Sequence, residues 1–289
     1  MKKSTLQKHT RLANDIMFYI YTHLDSIVDT EDISEIFQVD RFYLQRVFKE
    51  VFGETLYSTL RSIRLQKAAH LLVTNPHSTI SEIARMCGYT SHSSFIKAFS
   101  QRFGMSPHQW RRGGFTSYTR SIADEHYDRK LAKRFAQLEP KIVKMAPINA
   151  YYIRHKGITP ALKQVWQKIL AWIYSNDIQK YKFMALLHDN PAFTPLQECR
   201  YVACVEVLEE KEVRDTLPKF QISGGLYARF DIQCKSDELW QFFQWFYLEW
   251  LPHSGYETTV KPSYIIYEKN DYIEETNEVE AQIYLSLTL

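Results

Sequence analysis

The sequence predicts two domains, an all-α domain followed by an α+β domain built from two similar halves. Over residues 1–112, apolar residues recur at helical spacing and helix-capping residues separate the runs. After residue 140, apolar and polar residues alternate in short runs, which indicates strands between two longer helical runs. A Gly-Gly pair and a charged, weakly periodic stretch lie between these regions, so residues 113–139 are expected to be a linker with a connecting helix at 120–138.

The composition, with 45% hydrophobic and 24% charged residues among 289, is typical of a soluble globular protein. No apolar run approaches the ~18 residues that cross a bilayer. The basic N-terminus lacks the apolar stretch of a signal peptide. We therefore expect a cytoplasmic protein without a membrane partner. The four cysteines form no C-x-x-C pair, so we expect reduced structural thiols, no bound metal and no cofactor.

The net charge of +3 is divided unevenly along the chain. Residues 1–112 hold 15 Lys and Arg against 10 Asp and Glu, whereas residues 139–289 hold 16 against 20. The basic excess therefore lies in the helical domain, as contacts with nucleic-acid phosphates require. The excess is modest, and it supports such a partner only together with a structural motif.

A helix-turn-helix pattern occupies residues 79–104. Thr79 and Glu82 have the spacing of a capping box, which places a helix start there. Gly88 interrupts that helix, and Ser91 can cap the next one. The apolar stripe of the second helix consists of Phe95, Ala98, Phe99 and Phe103. Such a unit places its second helix in a major groove, although an ordinary helical hairpin in a core has the same periodicity.

The pattern occurs twice. Asp40 is a good N-cap for a helix from Arg41 to Phe52, and Gly53 can close it. A shift of 51 residues superposes the apolar stripe of this helix on that of the later one. The sequence therefore predicts helix-turn-helix units at about 30–53 and 79–104, joined by a helix over 56–72. An amphipathic scaffold helix is predicted over 10–28, with Leu24 and Ile27 on its apolar side.

The second unit resembles a known family. The resemblance rests on Ile83-Ala84, Gly88-Tyr89, Ser91, Phe95, Phe99, Phe103-Gly104, Ser106-Pro107 and Trp110-Arg111, which follow the motif of the AraC-type transcription regulators. The first recognition helix, DRFYLQRVFK, is similar to that of the Rob/MarA/SoxS branch. The resemblance implies binding to double-stranded DNA. Two readers on one rigid link would reach successive major-groove segments roughly 34 Å apart, so a monomer can read an asymmetric site.

Candidate DNA-binding residues are those outside the buried stripes. In the first helix, Arg46 can pair with guanine, Gln45 with adenine, and Phe42 can contact a thymine methyl. The second helix offers only Lys97 as a strong donor, so we expect it to position more than to discriminate. A solvated helix face is the alternative. The full candidate set is Arg41, Phe42, Tyr43, Gln45, Arg46, Lys49, His92, Ser93, Ser94, Ile96 and Lys97.

One departure from the family pattern lies in the first turn. The family usually has a glycine there, and this chain has Gln38-Val39. A non-glycine residue in a left-handed turn costs on the order of 1 kcal/mol. Either the first turn carries that strain, or it uses another geometry that alters the tilt of its recognition helix.

The second domain, residues 140–289, follows a strand–helix–strand–strand order twice, at an offset of about 75 residues. Helices are predicted over 160–174 and 237–251. We expect two pseudo-symmetric halves that meet in a concave groove, where binding sites commonly form. The motifs YYIRHKG, LLHDNP, RYVACVEV, GGLYARF, EWLPHSGYE and KPSYIIY resemble, in this order, the GyrI-like ligand-binding domain, an α+β fold of two SHS2 repeats.

That resemblance implies a pocket with a central glutamate, and this chain has Ile265 at the matching position. Glu268 lies three residues further, which strand alternation places on the opposite face unless a bulge intervenes. We therefore expect a neutral or amphipathic ligand, and Ile265→Glu should raise affinity for lipophilic cations. The candidate ligand-binding residues are Tyr152, Trp166, Trp250, Ile265 and Tyr284. Ordinary core packing is the alternative for each aromatic residue.

Two other function classes remain open. Some GyrI-like domains are hydrolases, but such chemistry requires an acid–base pair in the pocket, and no Ser-His-Asp order, zinc motif or phosphate loop occurs in the sequence. We therefore expect no enzymatic activity. Alternatively, the second domain is a protein-interaction module that docks RNA polymerase or a topoisomerase.

Overall fold

A computed structural model describes residues 3–23, 29–122, 129–213, 217–259 and 261–288. The chain divides into two compact units. The first runs to Leu72 and continues from Pro76 to Arg112, and the second comprises Val73–Asn75 and Gly113–Leu289. Among the residues described, no helix combines the length and the apolar character that crossing a bilayer requires.

The first unit is all-α. Its helices are α1 (Lys3–Thr22), α2 (Thr30–Ile36), α3 (Arg41–Phe52), α4 (Leu56–Thr74), α5 (Ile80–Met86), α6 (His92–Phe103) and α7 (Pro107–Gln109), and a π-helical turn (Trp110–Gly114) follows. The scaffold helix predicted over 10–28 begins earlier, at Lys3. Its predicted apolar positions Leu24 and Ile27 lie outside the described residues.

Two aromatic and aliphatic cores hold this unit together. In the first, Ile16 and Ile20 of α1 pack with Phe48 of α3 and with Leu60 and Ile63 of α4. In the second, the rings of Phe95, Phe99 and Phe103 follow one another along α6, and Trp110 packs edge-on against Phe99. Burying such rings removes large apolar areas from water, which stabilises each helix pair.

The second unit contains the remaining helices and all strands described. Its helices are α8 (Phe115–Ile122), α9 (Arg129–Phe135), α10 (Leu162–Ser175), α11 (Glu238–Trp245), α12 (Leu251–Ser254) and α13 (Asp271–Glu274). Its strands are β1 (Lys141–Met145), β2 (Ile148–Lys156), β3 (Tyr181–Leu187), β4 (Arg200–Val207), β5 (Lys219–Ile222), β6 (Gly225–Lys235), β7 (Glu257–Thr258), β8 (Ser263–Lys269) and β9 (Glu278–Thr288).

The strands form one antiparallel sheet in the order β1-β6-β9-β8-β3-β4-β2-β5, and β7 adds to β9. The two halves meet where β3 pairs with β8, and Ala185 faces Ile265 at the centre of that register. The end strands are exchanged between the halves, because β1 pairs with β6 and β5 pairs with β2. This exchange ties the two halves into a single sheet.

One side of the sheet, the inner face, carries its own buried cluster. Tyr152, Met184, Tyr264, Ile266 and Tyr284 belong to this cluster. Side chains from β1 and β5, the strands at opposite ends of the order, also pack against it. The sheet therefore curls around the inner face.

The other side, the helix-covered face, lies under α10 and α11. Trp166 of α10 contacts the rings of Phe183 and Tyr267, at centroid distances of 5.5 and 5.8 Å. Phe242 of α11 packs on Phe230 of β6 at 5.2 Å. Both long helices thus bury their apolar stripes against the same face.

Two segments differ from the sequence prediction. The expected linker contains α8 and α9, and α9 packs on α11 through Phe135 and Phe242, whose centroids lie 5.5 Å apart. The helix predicted over 237–251 widens into a π-helical turn, Phe246–Trp250, before α12. Pro252 follows this turn and has no N–H to donate to the preceding helical turn, which disfavours a continuous α-helix there.

Candidate functional site

The first recognition helix, α3, is capped at both ends. The Asp40 side chain accepts hydrogen bonds from the backbone N–H groups of Phe42 and Tyr43. Gly53 closes the helix in a left-handed conformation, with φ of 74°. Between the caps, Leu44, Val47 and Phe48 are fully buried. These contacts fix one side of α3 in the core, so the opposite side is presented to solvent.

The solvent side of α3 carries the predicted base-reading groups. Phe42 is 77% exposed, which is unusual for a large apolar side chain. Arg46 is exposed and its guanidinium lies 5.3 Å from the centroid of the Tyr43 ring. Gln45 is half-buried beside them, and Lys49 is exposed one turn further. The arrangement brings an apolar ring, an amide and a guanidinium together on one helix side.

Arg41 forms an ion pair with a residue of its own helix-turn-helix unit. Its Nη1 lies 2.6 Å from Oε1 of Glu31 on α2, and its guanidinium lies 5.6 Å from the Phe42 ring centroid. Both side chains of the ion pair are more than half exposed. Exposed pairs of this kind contribute little to stability, so the pair constrains Arg41 without fixing the fold.

The second recognition helix, α6, has the predicted caps, with Ser91 at its start and Gly104 at its end. Four of its five candidate side chains are exposed and Ile96 is half-buried. Nδ1 of His92 lies 2.7 Å from Oγ of Ser81 on α5, so His92 is held towards the first helix of its own unit. The exposed candidates are His92, Ser93, Ser94 and Lys97.

Helix α4 connects the two helix-turn-helix units through contacts at both of its ends. Its first half contributes Leu56, Leu60 and Ile63 to the core of the first helix-turn-helix unit. Its second half receives a hydrogen bond from Nε1 of Trp110 at the carbonyl of Ala69, at 2.9 Å. Since one continuous helix enters both cores, the two recognition helices are held in a defined relation.

Sequence reasoning missed two contacts that fix the second helix-turn-helix unit on α4, one a hydrogen bond and the other close packing. Nη2 of Arg61 donates to Oε1 of Gln101 on α6 at 2.6 Å. Arg64 packs so closely on the second turn that a Cβ at Gly88 would lie 2.8 Å from its Nε. The signal available in the sequence was Gly88 itself, because a glycine in a turn also marks close approach of another chain segment.

The five predicted ligand-binding residues do not come together. Tyr152 and Tyr284 belong to the inner-face cluster. Trp166 and Trp250 pack on rings of the helix-covered face, at 5.5 Å from Phe183 and 5.4 Å from Phe230 respectively. The five therefore lie on both faces of the sheet, because sequence motifs do not specify which face of a curled sheet each strand position takes. Ligand binding by any one of them stays a prediction.

Ile265 lies on the helix-covered face, since its neighbours Tyr264 and Ile266 both point to the inner face. It is fully buried and lies between Ala185 and Ile283 in the sheet. The position that the resemblance assigned to a pocket carboxylate is thus occupied by a core residue at the centre of the sheet.

Glu268 lies beside the inner face. A register shift between Tyr267 and Lys269 marks a β-bulge, so Glu268 is the extra residue of β8. Glu268 lines a cavity of about 310 Å3. The other lining residues are Arg229, Asp231, Ile232, Gln233, Glu280, Ala281 and Gln282. Glu268 continues the alternation of Tyr264 and Ile266, so it lies on the face opposite Ile265, as strand alternation predicts, and it supplies a carboxylate to this cavity.

A pair of stacked tyrosines lies next to the cavity. The rings of Tyr264 and Tyr284 are 4.5 Å apart and nearly parallel, at 11°. The Tyr284 hydroxyl donates to Oε1 of Gln282, a lining residue, at 2.8 Å. The Tyr264 hydroxyl is buried and has no hydrogen-bond partner among the described residues, and burial raises the pKa of Tyr264. The cavity lining therefore combines carboxylates with a guanidinium, and the stacked tyrosines are linked to it through Gln282.

The described residues include several candidate metal-binding and redox-active side chains, and the structure gives their placement. These residues hold no group of three or more His, Cys, Asp or Glu side chains that is placed to bind a metal ion. Cys87, Cys199, Cys204 and Cys234 are buried free thiols. Burial raises the pKa of Cys87 to about 12, so this thiol stays protonated at neutral pH.

Two family models match the chain. Residues 138–288 match the GyrI-like small molecule binding domain, which covers most of the second unit. Residues 33–113 match a helix-turn-helix domain, which covers both recognition helices. The two matches follow one another along the chain and are separated by residues 114–137.

Three relatives each match about a third of the chain. The Transposon Tn10 TetD protein of Escherichia coli is 36% identical over 107 residues, which are 37% of this chain and 76% of that protein. The regulatory protein SoxS of E. coli K12 is 30% identical over 103 residues, 36% of this chain and 95% of that protein. The xylose operon regulatory protein of E. coli K12 is 32% identical over 95 residues, but these span only 24% of that protein.

Solved structures similar to the chain include the C-terminal domain of AraT, a response regulator from Geobacillus stearothermophilus, at 33% identity over 35% of this chain and 84% of that one, with a TM-score of 0.34. The C-terminal domain of EcmrR covers 53% of this chain and 98% of that one, at 12% identity and a TM-score of 0.41. The tandem units, the two matching family models and the relatives TetD and SoxS agree, and this chain belongs to the AraC-type helix-turn-helix DNA-binding transcription regulators that carry a GyrI-like small molecule binding domain.

Proposed function

We propose that a single chain reads two successive major-groove segments of one DNA duplex, with α3 supplying most of the base discrimination. The observation that carries this proposal is the position of α4, which enters the cores of both helix-turn-helix units. A rigid connection fixes the spacing of the two readers, so no second copy is needed to set it. In α3, Arg46 pairs with guanine, Gln45 with adenine, and the exposed Phe42 ring contacts a thymine methyl.

The charges of the two units support a division of labour. Residues 29–53 hold six Asp and Glu against three Lys and Arg, whereas residues 79–104 hold one Glu against three Lys and Arg. Phosphate attraction is therefore stronger at the second unit, where α6 offers few base-reading groups. The second helix-turn-helix unit anchors the chain on the DNA backbone, and the first helix-turn-helix unit selects the base sequence.

The test is a binding-specificity profile of the full chain on a randomised duplex library, compared between wild type, Arg46→Ala and Lys97→Ala. Arg46→Ala should relax one base position, at a cost of about 1–3 kcal/mol at that position. Lys97→Ala should weaken binding to all sequences about equally and reduce the dependence of affinity on salt. An Arg46→Ala profile identical to wild type would refute the assignment of α3 as the base reader.

For the GyrI-like domain, we infer that the small molecule binds at the cavity beside the inner face. Glu268 and Glu280 face this cavity, whereas Asp231 is already paired with Arg229 at 3.0 Å. Two further carboxylates favour an amphipathic ligand that carries an amine, rather than the neutral ligand that Ile265 suggested. The aromatic part of such a ligand would lie towards Tyr284.

This inference is tested by fluorescence titration of the full chain with a cationic xanthene dye and with a neutral aromatic dye of similar size. Glu268→Gln should lower the affinity for the cationic dye at least several-fold and leave the affinity for the neutral dye unchanged. Glu278→Gln is the matched control, because Glu278 pairs with Lys269 outside the cavity. Equal affinity of wild type and Glu268→Gln for the cationic dye would place the ligand elsewhere.

A further inference from the structure

His9 of α1 lies against the recognition helix α3. It is only 7% exposed, although it precedes the apolar stripe from which α1 was predicted. Its Nδ1 lies 3.0 Å from Oε2 of Glu50, near the end of α3. Because a carboxylate only accepts hydrogen bonds, the imidazole is the donor in this pair. A partly buried polar contact thus joins the scaffold helix to the DNA-reading helix.

The same imidazole also contacts the ring beneath Arg46. The rings of His9 and Tyr43 meet in a T-shaped arrangement, with centroids 5.7 Å apart and planes at 81°. The guanidinium carbon of Arg46 lies 5.3 Å from the Tyr43 centroid. Tyr43, Arg46 and Glu50 are spaced three and four residues apart on α3, so they share one side of the helix. His9 therefore contacts this side at two points, Tyr43 and Glu50.

These contacts restrict a side chain that is otherwise flexible. A free arginine loses rotamer freedom when it binds a base, and this loss opposes binding. A ring held in place under the guanidinium limits that freedom before DNA arrives. The contact between His9 and Tyr43 fixes the ring, and the pair with Glu50 fixes the imidazole.

We propose that His9 is a positioning residue for base recognition, which acts through Tyr43 on the guanidinium of Arg46. The proposal rests on the proposed function, in which Arg46 reads a base. It makes α1, which lies outside both helix-turn-helix units, part of the specificity machinery of the chain.

The experiment measures base preferences of the full chain on a randomised duplex library for wild type, His9→Phe, His9→Gln, His9→Ala and Arg46→Ala. His9→Phe keeps a ring against Tyr43 and removes the pair with Glu50. His9→Gln keeps a donor for Glu50 and removes the ring. Arg46→Ala defines which base position the guanidinium reads, and thermal unfolding of each variant reports any loss of folded protein.

His9→Ala should reduce the preference at the Arg46 position by roughly two- to tenfold, and leave the preferences at other positions unchanged. His9→Phe should retain more of that preference than His9→Gln. In the double variant with Arg46→Ala, His9→Ala should have no further effect on that position, since its target is gone.

Two results would overturn the proposal. One is a loss of affinity in His9→Ala that is equal for all sequences, because a purely structural contact acts in that way. The other is an unchanged profile in His9→Ala while Arg46→Ala relaxes one position. If Arg46→Ala itself leaves the profile unchanged, the base-reading function of Arg46 fails first, and the positioning role fails with it.

Discussion

Gln38 and Gly88 occupy equivalent positions in the two helix-turn-helix units, and both adopt a left-handed backbone, with φ of 51° and 74°. The first helices of the units begin 50 residues apart, at Thr30 and Ile80, which aligns these two positions. The recognition helices begin 51 residues apart, so the second turn holds one extra residue. The first turn therefore carries the strain of a non-glycine residue in a left-handed backbone, within a turn one residue shorter than the second.

Gly88→Ala should destabilise the first unit more than Gly104→Ala does. Both glycines have a left-handed φ, so either substitution carries a backbone cost of about 1 kcal/mol. At Gly88 the new methyl group would also meet the Arg64 guanidinium at 2.8 Å, whereas nothing lies within 4 Å of that site at Gly104. Urea unfolding of the full chain, followed by far-ultraviolet circular dichroism, measures the difference. Equal shifts would mean that Arg64 moves aside without cost.

The DNA-binding unit was predictable from sequence because its signals are local. Capping at Asp40 and Ser91 and closure at Gly53 and Gly104 each depend on residues within one helix turn. The contact of His9 with α3 was not predictable, because it joins residues 41 positions apart and leaves no periodic trace.

For the GyrI-like domain, the fold class was predictable from sequence, but the place of the ligand cavity was not. Its long strands and helices follow from periodicity, whereas β1 and β5 are short and pair with strands of the opposite half. The bulge at Glu268 depends on pairing with β9, which a single strand sequence does not encode. Strand alternation correctly places Ile265 and Glu268 on opposite faces, but the sequence does not specify which of the two faces carries the cavity.

Glu31→Gln should strengthen DNA binding. The substitution releases Arg41 from its 2.6 Å ion pair and removes one negative charge beside α3, so Arg41 becomes available to a phosphate. We expect a several-fold gain in affinity at low salt that shrinks as salt rises. Fluorescence anisotropy with a labelled duplex, at several salt concentrations, measures this gain. Glu35→Gln on the same helix is the control, and an equal gain in that variant would assign the effect to net charge alone.

Ile265→Glu should destabilise the protein rather than create a cation site. Ile265 is fully buried between Ala185 and Ile283, so a carboxylate there would lose its hydration without a partner. Such a change costs several kcal/mol. Ile265→Val is the matched control, with an expected loss of about 1 kcal/mol. Thermal unfolding compares the two variants, and a stable Ile265→Glu protein that binds a cationic dye more tightly would restore the sequence-based interpretation.

Acidification should destabilise the chain through His70 of α4. Burial holds the pKa of His70 well below its ordinary value of 6.5, and nearby Lys67 lowers it further. Above pH 6.5 the imidazole is neutral in both states, so it makes no pH-dependent contribution. Below that pH the unfolded chain binds a proton that the folded chain excludes, so stability falls by up to about 1.4 kcal/mol per pH unit from this group.

The measurement is the urea midpoint of the full chain between pH 7.5 and 5.0, for wild type and His70→Gln. Glutamine has the size and polarity to replace the imidazole but does not titrate, so the variant should lose less stability than wild type over this interval. His77→Gln is the matched control, because His77 is exposed and close in sequence. Parallel pH curves for wild type and His70→Gln would show that the unfolding of this chain does not depend on excluding a proton from His70.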